Sequence, residues 1–203
     1  MKTYTEAITD LRDLCLLINR KTQLNNVGYA ERFGTSERHQ SRQRRVLKAL
    51  GADLRLCRGR DGYSIANDVH FGFGASHVPA TAVADARYLA TLPEMQKGDL
   101  DFPVALFNRL RLLAQMHLII LNGTKGKVRH HSARLGITEK KWYINLLILQ
   151  NLGAEFKYDL EAGGYVYLND FWIGLRVDQG EAQRAAATFS LPGYRAVRWS
   201  AAS

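Results

Sequence analysis

The chain has 203 residues, of which 46% are hydrophobic and 23% are charged. This composition is typical of one or two globular domains with a packed core and excludes an intrinsically disordered chain. The formal net charge is +9 and the pI is about 9.7. A balance of this sign favours a polyanionic partner, because lysine and arginine side chains neutralise phosphates and release counterions.

Two cysteines, Cys15 and Cys57, are too few for a disulfide scaffold and favour a reducing compartment. The first residues lack the apolar core of a signal peptide. The longest apolar run, Met116–Leu121, is too short to cross a bilayer. We therefore expect a soluble, cytoplasmic protein that associates with the nucleoid and has no membrane partner.

An internal repeat organises the sequence. The segment from Phe33 to Asp68 aligns without gaps with the segment from Leu135 to Asp170, and ten of the thirty-six positions are identical. A repeat of this kind indicates two copies of one structural unit. The identical pairs include three glycine pairs and one asparagine pair: Gly34/Gly136, Gly51/Gly153, Gly62/Gly164 and Asn67/Asn169.

Each copy predicts the same elements in chain order. An amphipathic first helix covers about residues 6–20, and about 104–122 in the second copy. A short second helix follows at Val27–Phe33 and Val128–Leu135. Ser36 and Thr138 are suitable N-caps for a third helix, which ends before a glycine. Alternating residues around a glycine-containing turn then predict a β-hairpin.

The repeat predicts an α+β, helix-rich fold with two tandem winged helix-turn-helix domains, each with three helices and a hairpin wing. The glycine-rich start of the connector predicts an irregular segment, and the alanine-rich stretch after it predicts a helix over 80–92 that braces the units or serves in dimerisation. The expected organisation is domain 1 at 1–68, connector at 69–103, domain 2 at 104–170 and a packed tail at 171–203.

The motif resembles the winged helix of DeoR-type and WYL-type bacterial transcription regulators. The resemblance rests on Ser-Glu-Arg after Gly34, a helix, Leu-Gly-Ala, a hairpin and the Gly-Tyr pair at Tyr63. It covers about Ile8–Ile65 and again Leu110–Tyr167, and it does not extend to the sensor domain of those families. It implies a bacterial or phage protein that binds double-stranded DNA.

In the first copy, the resemblance places the side chains of the third helix in the major groove. The implied DNA-facing positions are Ser36, Arg38, His39, Ser41 and Arg42. Arginine pairs with guanine through two hydrogen bonds. Arg45 and Lys48 are expected at phosphates, and Arg58 and Arg60 at the tip of the wing. Gln40 and Arg44 depart from the family, which places apolar residues there, so the helix is rotated, its core face is thin, or Arg44 extends to solvent.

In the second copy, the charges are distributed differently. The expected DNA contacts are Lys125, Lys127 and Arg129 before and within the second helix, and Lys140, Lys141 and Tyr143 on the third. Ile144 stands where the first copy has Arg42. We interpret this copy as a DNA-binding unit with weaker sequence readout; the alternative is a helix that docks on a partner or on the first unit.

No motif for a metal site, a cofactor or a catalytic nucleophile is recognisable, so we expect a protein that is not an enzyme. The leading hypothesis is sequence-specific binding of double-stranded DNA in transcription regulation, with a homodimer left open. One alternative is a plasmid or phage replication initiator, or an accessory DNA-binding factor. Another is an interaction scaffold that uses winged helices to bind protein.

Overall fold

The computed structural model describes residues 3–20, 26–57, 62–96, 101–161 and 163–178. Seven helices and three two-stranded antiparallel sheets occur in this part of the chain, which confirms the predicted α+β, helix-rich class. The elements in chain order are α1 (Tyr4–Asn19), α2 (Asn26–Arg32), α3 (Glu37–Ala49), β1 (Leu54–Cys57), β2 (Gly62–Ile65), β3 (Asp68–Gly74), α4 (Ala82–Thr91), α5 (Asp101–Leu121), α6 (Val128–Arg134), α7 (Glu139–Asn151), β4 (Phe156–Asp159), β5 (Gly164–Tyr167) and β6 (Trp172–Asp178).

The repeat in the sequence corresponds to a repeat of elements. We call α1, α2, α3, β1, β2 and β3 the first unit, and α5, α6, α7, β4, β5 and β6 the second unit. From the short helix through the hairpin, every element of the second unit begins 102 residues after its counterpart, as α3 at Glu37 and α7 at Glu139 illustrate. Both units therefore consist of three helices, a hairpin and a further strand.

Identical residues in the two copies hold the same turns. Gly34 and Gly136 have φ values of +57° and +63°, a left-handed conformation that lets the chain turn sharply before the third helix. The hydroxyl of Ser36 then accepts a hydrogen bond from the N–H of His39 at 3.2 Å, and Thr138 caps α7 in the same way.

The repeated asparagine ties each hairpin to the end of the third helix. The amide of Asn67 donates to the carbonyl of Gly51 at 2.8 Å and accepts from the N–H of Asp53 at 2.8 Å. Asn169 makes the equivalent two bonds, to Gly153 and Glu155. These bonds satisfy backbone groups that the helix terminus leaves unpaired, which explains why the asparagine recurs.

The long helices α1 and α5 supply a large share of the core. Their buried faces recur at helical spacing, as Ile8, Leu11 and Leu14 do in α1. Residues Phe102–Leu121 of α5 are long and apolar enough to span a bilayer by length and composition, but 67% of this helix window is buried inside the protein. A mostly buried helix of this kind is consistent with the core helix of a soluble protein.

The connector differs from the prediction at its start. Residues expected to be irregular form β3, which pairs with β6 over seven residues, so the strand crosses the boundary expected after residue 68. Val69, Phe71 and Phe73 alternate with His70 and glycines, and the glycines obscured the pattern of a strand. The first part of the expected tail likewise forms β6, whereas residues 179–203 lie outside the described residues.

The expected helix at 80–92 is present as α4, and it packs against β6 and α5. Gly174 permits this packing, because a Cβ atom there would lie 2.7 Å from the Cβ of Asp85 and 3.0 Å from the backbone nitrogen of Ala86. The β3–β6 ribbon therefore lies between α4 on one face and the long helices on the other.

Candidate nucleic-acid interface

The outer side of α3 carries a cationic face in the first unit. Arg38, Arg45 and Lys48 are exposed, and Ser36 at the N-cap is exposed as well. Ser41 and Arg42 are half-buried at the edge of this face. We call Arg38, Arg42, Arg45 and Lys48 the helix cluster. These residues lie three or four positions apart, so they follow one side of the helix.

His39 lies apart from the exposed part of the helix cluster. Its Nε2 atom is 3.3 Å from Oδ2 of Asp10 on α1, and its ring centroid is 5.9 Å from that of Phe102 on α5. The guanidinium of Arg42 lies over the same Phe102 ring at 5.9 Å. Phe102, which the sequence did not single out, thus positions two of the residues expected to face DNA.

Arg44 is buried under the hairpin rather than extended to solvent. Only 5% of the residue is exposed, and its guanidinium lies 4.5 Å from the ring centroid of Tyr63 on β2. Burial lowers the pKa of the Arg44 guanidinium, because removal from water penalises its charged form. Among the three possibilities that the sequence left open, the structure thus shows a thin, polar core face: Gln40 and Gln43 are buried beside Arg44 on the same helix.

The two arginines expected at the tip of the first wing, Arg58 and Arg60, lie outside the described residues. The described part of that hairpin contributes Arg55, whose guanidinium forms a 2.7 Å ion pair with Asp53. Cations of the first unit are therefore placed by the structure mainly on α3.

The second unit carries its cations at a different place. Lys125, Lys127, Arg129 and His130 are exposed and line an open groove of about 480 Å³ before and along α6. We call these four residues the loop cluster. The N–H of Gly126 donates to the carbonyl of Gly163 at 2.9 Å and so fixes the loop against the β4–β5 hairpin. The adjacent histidine, His131, is not part of this cluster.

His131 has a structural position instead. It is 2% exposed, and its ring stacks on Trp142 at a centroid distance of 5.6 Å. Burial is the main cause that lowers the pKa of His131, so the neutral ring is favoured. His130, its neighbour, remains at the surface.

The third helix of the second unit, α7, presents a mixed outer face. Lys140 and Lys141 are exposed near its N-terminus. Tyr143, Ile144 and Leu147 follow with exposed fractions of 52%, 45% and 55%. We call these three residues the apolar stripe. Among the described residues, six of the nine exposed large hydrophobic side chains belong to the second unit, including Tyr158, Leu160 and Leu168 on or beside its hairpin.

The arrangement suits electrostatic contact with an extended anion. Cations project from α3, from the loop before α6 and from the start of α7. No group of three or more histidine, cysteine or acidic side chains that can hold a metal ion occurs in the described part of the chain. No protein-family model, curated protein or solved structure matches this chain.

Proposed function

We propose that the protein binds double-stranded DNA in a sequence-specific manner and regulates transcription, with each unit acting as a winged helix and α3 entering the major groove. The single observation that carries this proposal is the helix cluster on an N-capped helix, with Arg38, Arg45 and Lys48 exposed and Arg42 half-buried at its edge. In helix-turn-helix proteins, the helix in this position contacts base edges near its N-terminus.

The position of each cation supports a division of roles. Arg38 lies in the first turn of α3, where an arginine can pair with guanine. Arg45 and Lys48 lie further along the same exposed side and suit phosphates. The inward position of His39 against Asp10 makes it a residue that orients α3 on α1, so we assign base contacts to Ser36, Arg38, Ser41 and Arg42.

The loop cluster supports contact with the sugar-phosphate backbone. Lys125, Lys127 and Arg129 face a groove that has no acidic lining residue in the described part of the chain, and the Gly126–Gly163 bond fixes the backbone of the loop that carries the first two. Fixed cations bind phosphates with little loss of conformational freedom. With Lys140 and Lys141, this surface gives the second unit affinity that depends little on sequence.

An electrophoretic-mobility titration across salt concentrations tests the proposal. We expect tight binding to one duplex over competitor DNA and a logarithmic affinity that falls by about 0.9 per phosphate contact for each tenfold increase in salt. The double variant Arg38→Ala/Arg42→Ala should lose about tenfold or more in specific affinity per lost guanine contact. Lys140→Ala/Lys141→Ala should weaken all duplexes more modestly and reduce the salt slope.

Arg87→Ala is the matched control, since it removes one positive charge from α4 without touching either cluster. Its DNA affinity should stay close to that of the unchanged protein. No binding at low salt would refute DNA as the ligand. A cost for Lys140→Ala/Lys141→Ala equal to that of the arginine variant would show that α3 is not the reading helix.

The apolar stripe favours a second candidate function, an interaction scaffold in which the second unit binds a protein. Tyr143, Ile144 and Leu147 form exposed apolar surface of the kind that protein interfaces use. This candidate predicts no loss of partner binding when the helix cluster is neutralised. The salt titration therefore separates the two functions.

A further inference from the structure

The pairing of β3 with β6 has an internal two-fold symmetry. The 102-residue offset, continued through β3 and β6, makes Gly174 the counterpart of Gly72, and these two residues are paired directly. Phe71 pairs with Leu175, and exchange of the two units converts this pair into Phe73 with Ile173, which is also observed. Antiparallel pairing places a local two-fold axis between the two strands, and because β3 and β6 are counterparts, this axis is compatible with a two-fold relation between the two units.

The helices obey the same symmetry. α3 of the first unit packs on α5 of the second, and reciprocally α7 of the second unit packs on α1 of the first. The counterparts α1 and α5 also contact each other, with the guanidinium of Arg109 lying 4.4 Å from the ring centroid of Tyr4. Reciprocal contacts of equivalent surfaces define the isologous interface of a two-fold dimer. One chain thus has the internal arrangement that two identical chains form in a homodimer.

Two-fold-related reading helices contact two half-sites in inverted orientation, because the symmetry of the protein is repeated in the DNA. The outer faces of α3 and α7 are not equal, however. Position by position, Arg42 of the helix cluster corresponds to Ile144 of the apolar stripe, and Arg45 corresponds to Leu147. Arginine reads the acceptors of guanine, whereas apolar side chains contact the 5-methyl group of thymine.

We propose that one chain binds one duplex across an unequal inverted repeat, with guanine in the half-site of α3 and thymine in the half-site of α7. This inference rests on the DNA binding proposed above and specifies the class of DNA sequence. The pseudo-two-fold axis fixes the orientation of the half-sites, and the exchange of cations for apolar residues fixes their difference. The lysines Lys140 and Lys141 then hold the phosphates beside the thymine half-site.

Selection from a library of random-sequence duplexes with the full-length protein tests the orientation. We expect enriched duplexes to contain two short motifs in inverted orientation, and native mass spectrometry to show one chain per duplex. A direct repeat, a single motif or two chains per duplex would overturn the inference and leave the proposed DNA binding intact. Failure to enrich any sequence at low salt would count against the proposed function itself.

Replacement of thymine by deoxyuridine in the enriched duplex tests the assignment of the halves. Deoxyuridine pairs normally but lacks the methyl group, so each contacted thymine should contribute about a fourfold loss of affinity when replaced. The loss should be confined to the half-site of α7. Equal losses in both halves, or no loss in either, would overturn the thymine assignment and favour the apolar stripe as a protein-binding surface.

Paired variants complete the test. Ile144→Ala/Leu147→Ala should bind the thymine and deoxyuridine duplexes with equal affinity, because the side chains that contact the methyl groups are gone. Arg38→Ala should keep the deoxyuridine effect and lose discrimination at the guanine of the other half-site. Since all these side chains are exposed, circular dichroism should show unchanged secondary structure. If Ile144→Ala/Leu147→Ala kept the deoxyuridine effect, α7 would not contact the thymines.

Discussion

The third helices of the two units, α3 and α7, have the same length and equivalent caps but bury different kinds of side chain. In α7 the buried face includes Trp142 and Leu146, and in α3 the equivalent positions hold Gln40 and Arg44. The guanidinium of Arg44 lies over the ring of Tyr63. The counterpart of Tyr63 is Tyr165, whose ring centroid is 6.5 Å from that of Trp142. The glycine turns and the asparagine hydrogen bonds fix the same backbone conformation in both units. The buried side chains can therefore differ, and they are polar in α3 but aromatic and aliphatic in α7.

Removal of Trp142 should have the largest effect of the changes considered. Trp142 is 0% exposed and contacts both His131 and Tyr165. Trp142→Ala should lower the free energy of unfolding by about 3–5 kcal/mol, because it deletes a large buried side chain and leaves a cavity. Urea-induced unfolding followed by circular dichroism measures the change.

Gln40→Ala, at the equivalent position of α3, is the matched control. Gln40 contributes one hydrogen bond to the hydroxyl of Thr35 at 2.8 Å, so its loss should cost only about 1 kcal/mol. Equal costs for the two variants would mean that the polar face of α3 stabilises its unit as strongly as the aromatic face of α7 does.

Acidification should affect the second unit more than the first. His117 on α5 corresponds to Cys15 on α1; its Nδ1 lies 2.9 Å from the hydroxyl of Tyr167, and burial lowers its pKa to about 4. In the unfolded chain His117 binds a proton near pH 6.5, whereas in the folded chain it does so only near pH 4. Stability is therefore complete above this pH and falls by up to about 3 kcal/mol as the pH drops towards 4.

His117→Gln should flatten this dependence in unfolding titrations between pH 4 and 7. Burial also lowers the pKa of His131, so a smaller slope of the same sign should remain. A slope that persists in full in His117→Gln would show that other groups cause the acid sensitivity.

The repeated asparagines should show where the units are alike. Asn67→Ala and Asn169→Ala each remove two hydrogen bonds to backbone groups at the end of the third helix. Each variant should lower the free energy of unfolding by about 1–2 kcal/mol. Thermal unfolding of the two variants compares these losses directly. A loss of stability more than twice as large in one variant would mean that the equivalent hydrogen bonds do not stabilise the two hairpins equally.

The sequence predicted the parts of this molecule that depend on local chemistry. Gly34 and Asn67 recur in both copies, and Ser36 is matched by Thr138, because each satisfies a backbone requirement of its own unit, and the predicted helices and hairpins are present. The β3–β6 ribbon escaped prediction because its hydrogen bonds join segments about one hundred residues apart and its glycines conceal the alternation. The inward position of His39 likewise depends on Phe102 of the other unit, a contact that no local pattern reveals.

Replacement of Arg44 by leucine, the residue at the equivalent position Leu146 of the second unit, should have the smallest effect. It should raise the free energy of unfolding rather than lower it. Arg44 is buried, its Nη1 atom has no hydrogen-bond partner among the described residues, and its guanidinium lies over the ring of Tyr63. Buried charges of this kind are often replaced by apolar residues at no cost or with a gain in stability. Arg44→Leu should therefore raise the free energy of unfolding by about 1 kcal/mol.

Arg44→Met, which keeps an unbranched side chain against Tyr63, controls for shape and should behave alike. Because Arg44 lies under the hairpin, neither variant should change DNA affinity. A loss of 2 kcal/mol or more in both would mean that the contact with Tyr63 outweighs the cost of burying the charge, and that the polar face of α3 stabilises the first unit in its own right.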